Sequence, residues 1–294
     1  MDQDSPVYNL QEASLKSLNL IRDEIQNLFA NYEADNSSID ITLKQLFWYL
    51  SSRSQAVSFL ASHGYIWDSE IILRSLYETA AKIMLICFSE KSDKENLINE
   101  YWTIIGNINN RRTSRKAEFS MDTCEADDVG YSIFEMLRDE NIFDTKSDYT
   151  RAERNVVERK WSFSEIIDSL QYKSVDGKPL FGIKSLLHIY GMASHLAHAD
   201  RAAMDLMTDR AMRPSEERLI LENAHLSRIF LDQVSLCWFC ADALRSHFGG
   251  SFTFPDRMRE AFDEPARQSK AVQSAFYESQ REFYNRWRDS TANA

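Results

Sequence analysis

Between Tyr8 and Glu33, apolar side chains return every three or four residues and place Leu10, Leu18, Ile21, Ile25 and Leu28 close to one face. The same helical spacing recurs along most of the chain. Glycine and proline, which punctuate turn-rich β folds, number only 8 and 5 in 294 residues. Long helices joined by few tight turns satisfy both features. No Asn-Gly or Asp-Gly pair sits between alternating runs, so no strand pair is expected. No repeat of solenoid period is present. The expected fold is an all-α multi-helix bundle.

The spacing predicts a second helix capped by Asp40 and stopped at Gly64, and a third from about Tyr65 to Phe88. A fourth starts at a Ser92 or Asp93 cap and ends in the basic stretch "NNRRTSRK". Residues 120–180 read as short helical pieces, with a break at "VDGKPLFG". One helix is expected from Ile183 to about Met207, and another from Pro214 to the Gly249–Gly250 pair. A last helical portion covers Glu264–Arg288. This divides the chain into a bundle domain over 1–250 and a C-terminal helical arm over 251–294. The arm packs on the bundle or on a partner.

Charge and cysteine usage narrow the function classes. A net charge of −11 argues against a general nucleic-acid coat but allows a local basic groove. The acidic start "MDQDSPVYNL" has no apolar core, so no signal peptide is expected. The four cysteines are unevenly placed and suggest a reducing, cytoplasmic setting rather than a disulfide framework. Cys237 and Cys240 lie in an apolar helical run and read as core thiols. The run "IMLICF" is far too short to span a bilayer, and no membrane partner is expected.

Two segments carry the candidate chemistry. On the 183–207 helix, Tyr190, Ser194, Ala197 and His198 share an arc with Ile183 and Leu187, and Arg201 and Asp205 extend it. His198 is therefore expected to be partly buried, whereas His188 and His195 lie on a different arc. It reads either as a core histidine satisfied by Ser194 or Tyr190, or as a functional imidazole oriented by its neighbours. On the 65–88 helix, Glu70, Arg74, Glu78 and Lys82 stand four residues apart. Such a ladder is either a solvated salt-bridged stripe or, given Trp67, Ile71, Ala81 and Leu85 on the same arc, a covered surface. Arg74 with Glu78 is the natural pair.

The "RSLYE" helix and the Tyr-x-x-x-Ser-x-x-x-His helix together resemble an uncharacterised bacterial all-helical family over about residues 40–210. More remotely, the second helix is similar to the signature helix of the HEPN superfamily over about twenty residues. That resemblance implies a small all-α core, dimerisation, and metal-independent RNA cleavage in toxin or antiphage defence. Its hallmark is an arginine and a polar residue ahead of a histidine. Here His198 and Ser194 match, and Gly191, Met192 and Ala193 stand where the arginine belongs. Under this resemblance His198 is the base, and Arg74 or Arg201 stabilises the phosphorane. Glu78 orients the arginine, and Ser194 or Tyr190 fixes the imidazole. Arg111, Arg112, Arg115 and Lys116 would grip the RNA backbone, or else they complement a helix dipole. The alternative is a non-enzymatic module binding a small ligand or partner protein through a buried Arg/Glu/His pocket.

Other constellations are weaker. Glu222 and His225 form one Glu-x-x-His, whereas di-iron bundles need two, so no metal is expected. No phosphate loop, nucleophile elbow or dinucleotide fingerprint is present, and no cofactor is expected. In the arm, Phe276, Phe283 and Trp287 share a face, with Tyr277 and Tyr284 beside it and Arg281, Arg286 and Arg288 interleaved. Such a stripe packs on its own core or forms a homo-oligomer or partner surface.

Overall fold

The computed structural model describes residues 5–32, 37–123, 125, 129–139, 149–175, 178–180, 182–249 and 256–292. It is an all-α multi-helix bundle. The helices are α1 (Pro6–Asn31), α2 (Ser38–Ser62), α3 (Ile66–Phe88), α4 (Lys91–Asn99) and α5 (Ile105–Met121). They continue with α6 (Val129–Arg138), α7 (Arg151–Lys160), α8 (Phe163–Leu170) and α9 (Ser185–His198). The last three are α10 (Arg201–Met212), α11 (Ser215–Phe248) and α12 (Asp256–Ala292). A π turn over Glu100–Ile104 links α4 to α5.

The chain divides into two compact units, though not at residue 250. One unit contains Met1–Phe88 with Ile167–Ala294; the other is Ser89–Ile166. The C-terminal arm belongs to the first unit because α12 lies along α1 and α11. Met258, Ser269 and Val272 are buried, and Trp238 of α11 stacks on Phe262. The exposed part of the arm includes Tyr277; the side chains of Phe283, Tyr284, Arg286 and Trp287 lie outside the described residues.

In the first unit, α11 packs against α1, α2, α3 and α12. Leu10, Ile21 and Ile25 of α1, Leu43 and Leu50 of α2, Leu73 and Leu76 of α3, and Phe230 of α11 are fully buried. Each such side chain contributes about 1.5–3 kcal/mol relative to an exposed one. Local signals set the helix ends. Ser5 caps α1 by accepting from the Tyr8 amide at 3.2 Å, with Pro6 in the first turn. Ser37 caps α2, not Asp40, which sits one turn in and donates its amide to the Ser37 hydroxyl. Gly64, at φ 81°, takes the left-handed turn between α2 and α3.

The structure departs from the sequence expectations at three more places. The 183–207 helix is two helices: α9 ends at His198, Ala199 turns left-handed at φ 48°, and Asp200 caps α10 by accepting from Ala203 N–H. Ser174–Val175 pairs antiparallel with Lys178–Pro179 around an Asp-Gly dipeptide, a hairpin too short to show alternation. And α12 begins at Asp256 and runs through Pro265, which is tolerated because the unit supplies a substitute hydrogen bond.

In the second unit, Glu100 in the π turn accepts from Lys160 Nζ and from Trp161 Nε1, each at 2.9 Å. The extra residue of the π turn aims this carboxylate at the end of α7. No described helix is long and apolar enough to cross a membrane.

Candidate functional site

The expected Arg74–Glu78 couple forms, and Tyr190 completes it. Arg74 Nε lies 3.3 Å from Glu78 Oε1. The Tyr190 hydroxyl donates to the same Glu78 oxygen at 2.7 Å and accepts from Arg74 Nη2 at 3.1 Å. The guanidinium carbon sits 5.1 Å from the Tyr190 ring centroid, a cation–π distance. Burial and the bond to Glu78 raise the phenol pKa. Lys82, one turn beyond Glu78, is partly buried and its ammonium pKa is lowered by desolvation, with Glu78 opposing.

The imidazole does not join them. The buried residues of α9 are Leu186, Ala193 and Leu196, so its inward arc is not the one shared by Ala197 and His198, which are exposed. His198 is eight residues beyond Tyr190, about 12 Å along the helix axis. Ser194 is half-buried between them. Arg201 begins a different helix, has 94% of its side chain exposed, and pairs with Asp205. His195 is engaged elsewhere: its Nδ1 lies 2.5 Å from Asp200 Oδ2, and this bond lowers the Asp200 pKa. The basic cluster lies on α5, in the second unit. There Arg112 pairs with Glu158 at 2.7 Å, and Arg115 and Lys116 are exposed, with Arg111 half-buried.

A buried charge network between α3 and α11 is absent from the sequence expectations. Glu70 is fully buried, and its Oε2 accepts from Arg228 Nη2 at 2.7 Å. His225 Nε2 lies 3.1 Å from that oxygen and 2.8 Å from Arg228 Nη2. A ring protonated at Nε2 donates to Glu70; one protonated at Nδ1 accepts from Arg228. Arg228 Nη1 continues to Asp232 Oδ2 at 3.1 Å, which also accepts from the Tyr77 hydroxyl at 2.8 Å. Trp67 closes one side, edge-on to the His225 ring. Burial pushes the Asp232 carboxyl up to about 6 and the Tyr77 phenol up as well. It pushes the His225 imidazole down, against its hydrogen bond to Glu70. For Glu70, burial is outweighed by His225 and Arg228, which hold its carboxyl below the usual range. Glu70 Oε1 is buried with no hydrogen-bond partner among the described residues. The one available sequence signal was His225, Arg228 and Asp232 at three- and four-residue spacing inside an apolar run.

A cleft of about 310 Å³ opens between α1 and α2, floored by Cys237 of α11. Leu15, Leu18 and Ile21 form its α1 wall, with Arg22 and Asn19 beside them. Phe47 and Phe59 stand on the α2 side, and Ser51, Ser54, Ser58 and Ser62 run along that helix. Their spacing of three or four residues puts the hydroxyls on one stripe. Gln233 of α11 fastens the stripe: its Nε2 lies 2.6 Å from Ser54 Oγ and 2.8 Å from Ser58 Oγ, and Ser58 donates back to Oε1. Burial pushes the Cys237 thiol up to about 12, which keeps it protonated and unreactive.

The comparisons with family models, curated proteins and solved structures find no match.

Chemically, the three sites differ. The Arg74–Glu78–Tyr190 group is a positioned cation whose carboxylate is engaged by Arg74 and Tyr190, with no imidazole beside it among the described contacts. In the Glu70–Arg228–Asp232 network the charges are paired through Glu70 Oε2 and Asp232 Oδ2, and Glu70 Oε1 stays outside the pairing. Among the described residues, no group of three or more His, Cys, Asp or Glu side chains is placed to hold a metal ion. The α1–α2 cleft has the volume, apolar walls and few polar groups of a small-molecule site. Its sequence signal was the serine stripe, hidden because serine at helical spacing looks like an ordinary solvated face.

Proposed function

We propose that this chain is a non-enzymatic helical module that holds a small, largely apolar molecule in the cleft between α1 and α2. The observation that carries this reading is the pairing of a leucine–isoleucine wall with a hydroxyl stripe around a cavity of about 310 Å³. An apolar surface of that size, left open beside a close-packed core, is where a ligand gains most from leaving water. Calorimetric titration with octan-1-ol tests it. Wild type is expected to bind. Leu18→Trp, which fills the cleft from its wall, is expected to lose binding while keeping its thermal midpoint. Equal binding by both proteins would place the alcohol elsewhere and end the proposal.

A HEPN-like, metal-independent ribonuclease is the second reading. It is favoured by the Arg74 guanidinium, held ready by Glu78 and Tyr190 on a half-exposed surface. It requires the imidazole expected as its base to join this group, and His198 stands about two helical turns away. RNA degradation in excess chelator by wild type, Arg74→Ala and His198→Ala decides it. Loss of cleavage in both variants supports a ribonuclease; no cleavage by wild type, or cleavage unchanged in both, removes it.

A further inference from the structure

The charge around the α1–α2 cleft points to the class of molecule it takes. The chain carries 45 acidic against 34 basic residues. Yet the described residues lining the cleft include no carboxylate; they include Arg22 and His63. Arg22 is two-thirds shielded, and among the described residues its one ion-pair neighbour is Asp23, 3.6 Å from its Nε. That separation is too long for a hydrogen bond, so the guanidinium keeps its donors for another acceptor. His63 holds its Nδ1 2.7 Å from the Phe59 carbonyl, which fixes a proton there and turns the ring into part of the cleft edge.

Within the cleft Ser54 offers a second polar group. It is buried, its Oγ accepts from Gln233 Nε2 at 2.6 Å, and it lies 4.0 Å from the Cys237 sulfur, a weak partner. A cleft with apolar walls, a shielded guanidinium, a buried hydroxyl and no acid among its described lining residues selects for an acceptor-bearing, negatively charged amphiphile.

Resting on the cleft reading above, we infer that the ligand is a monoanionic amphiphile of the aliphatic carboxylate class, its carboxylate held by Arg22 and its chain against Leu15, Leu18 and Ile21. Association is reversible and non-covalent. Asp23 competes for the same guanidinium and sets an upper limit on affinity.

Calorimetric titration of the full chain at pH 7.5 with octanoate, octan-1-ol and octylamine separates the class from the cleft. Octanoate is expected to bind about tenfold more tightly than octan-1-ol, as a charge-assisted bond allows. Octylamine is expected to bind more weakly than either. Arg22→Gln is expected to erase the octanoate preference while leaving octan-1-ol affinity unchanged. Asp23→Asn is expected to tighten octanoate severalfold, since it removes the competitor. Equal affinity for octanoate and octan-1-ol in wild type, an octanoate preference that survives Arg22→Gln, or a preference for octylamine overturns the anionic class and leaves the cleft reading standing. Binding of none of the three overturns both. Circular dichroism spectra that match wild type confirm that each variant is folded.

Discussion

The Ser17 hydroxyl of α1 donates to the Ala261 carbonyl of α12, the acceptor that Pro265 leaves without its helical partner. Proline has no amide hydrogen, so the carbonyl four residues earlier is orphaned. Ser17 is 1% exposed, and the same hydroxyl lies 3.0 Å from its own helix's Ala13 carbonyl. One hydroxyl thus seats the C-terminal helix on the first helix. Ser17→Ala is expected to cost about 0.5–1.5 kcal/mol, because it removes the bond to a part-buried carbonyl. In a Pro265→Ala background the cost is expected to shrink, since residue 265 then supplies an amide. Thermal midpoints of the four proteins in the cycle check this.

Ala199 occupies the left-handed region at φ 48° between α9 and α10. A side chain there costs about 1–2 kcal/mol, part of which glycine returns as unfolded-state entropy. Ala199→Gly is expected to stabilise the chain by roughly 0.5 kcal/mol, and Ala199→Val to destabilise it. Chemical denaturation midpoints report both.

The Glu70–His225–Arg228–Asp232 network makes stability depend on pH in two opposed ways. His225 titrates below its ordinary value when folded, so the unfolded chain takes up a proton that the native state refuses. That contribution is lost as pH falls through about 6.5. Asp232, raised to about 6, behaves in the opposite sense. The native state holds its proton longer, so stability declines as pH rises from about 4 to 6. His225→Gln is therefore expected to lose less stability than wild type between pH 7.5 and pH 5, and Asp232→Asn to lose more. Urea midpoints at the two pH values measure the difference.

Gln233 ties α11 to the hydroxyl stripe of α2 and is fully buried. Gln233→Leu leaves Ser54 and Ser58 without that partner and is expected to cost about 2–4 kcal/mol. Gln233→Glu is expected to be worse at pH 7.5, because a buried carboxylate has no cation on α2 at Ser54 or Ser58. Thermal unfolding of both variants tests the order.

The half-exposed Arg74–Glu78 pair is expected to couple by no more than about 1 kcal/mol. A double-mutant cycle with Ala at each position measures it. Tyr190→Phe is expected to lower that coupling, since the phenol bridges both partners.

The four-residue ladder of Glu70, Arg74, Glu78 and Lys82 reads as one stripe, but each step advances about 400°, so the ladder winds by about 40° per rung. Glu70 thereby faces α11, whereas Arg74 and Glu78 reach Tyr190 on α9. The natural pair was legible because it is local. The partners of Glu70 are 155 and 158 residues away, and no local pattern names them. On α9, the inward arc lies about a quarter-turn from the expected one, because Ile183, Leu187 and Tyr190 on one side and Leu186, Ala193 and Leu196 on the other are both apolar enough to face a core. The α9–α10 break was readable in principle from Asp200, a standard helix cap, but a helical spacing that continues across it concealed the turn.

What the amino-acid order alone settles here is the helices, because apolar periodicity, caps and the scarcity of glycine and proline act within a few residues of each other. Which charges are buried together, where the imidazoles point and where a cavity opens were decided by tertiary packing. Those outcomes depend on how helices more than a hundred residues apart cross, and a side chain turned by one quarter of a helix moves from core to solvent.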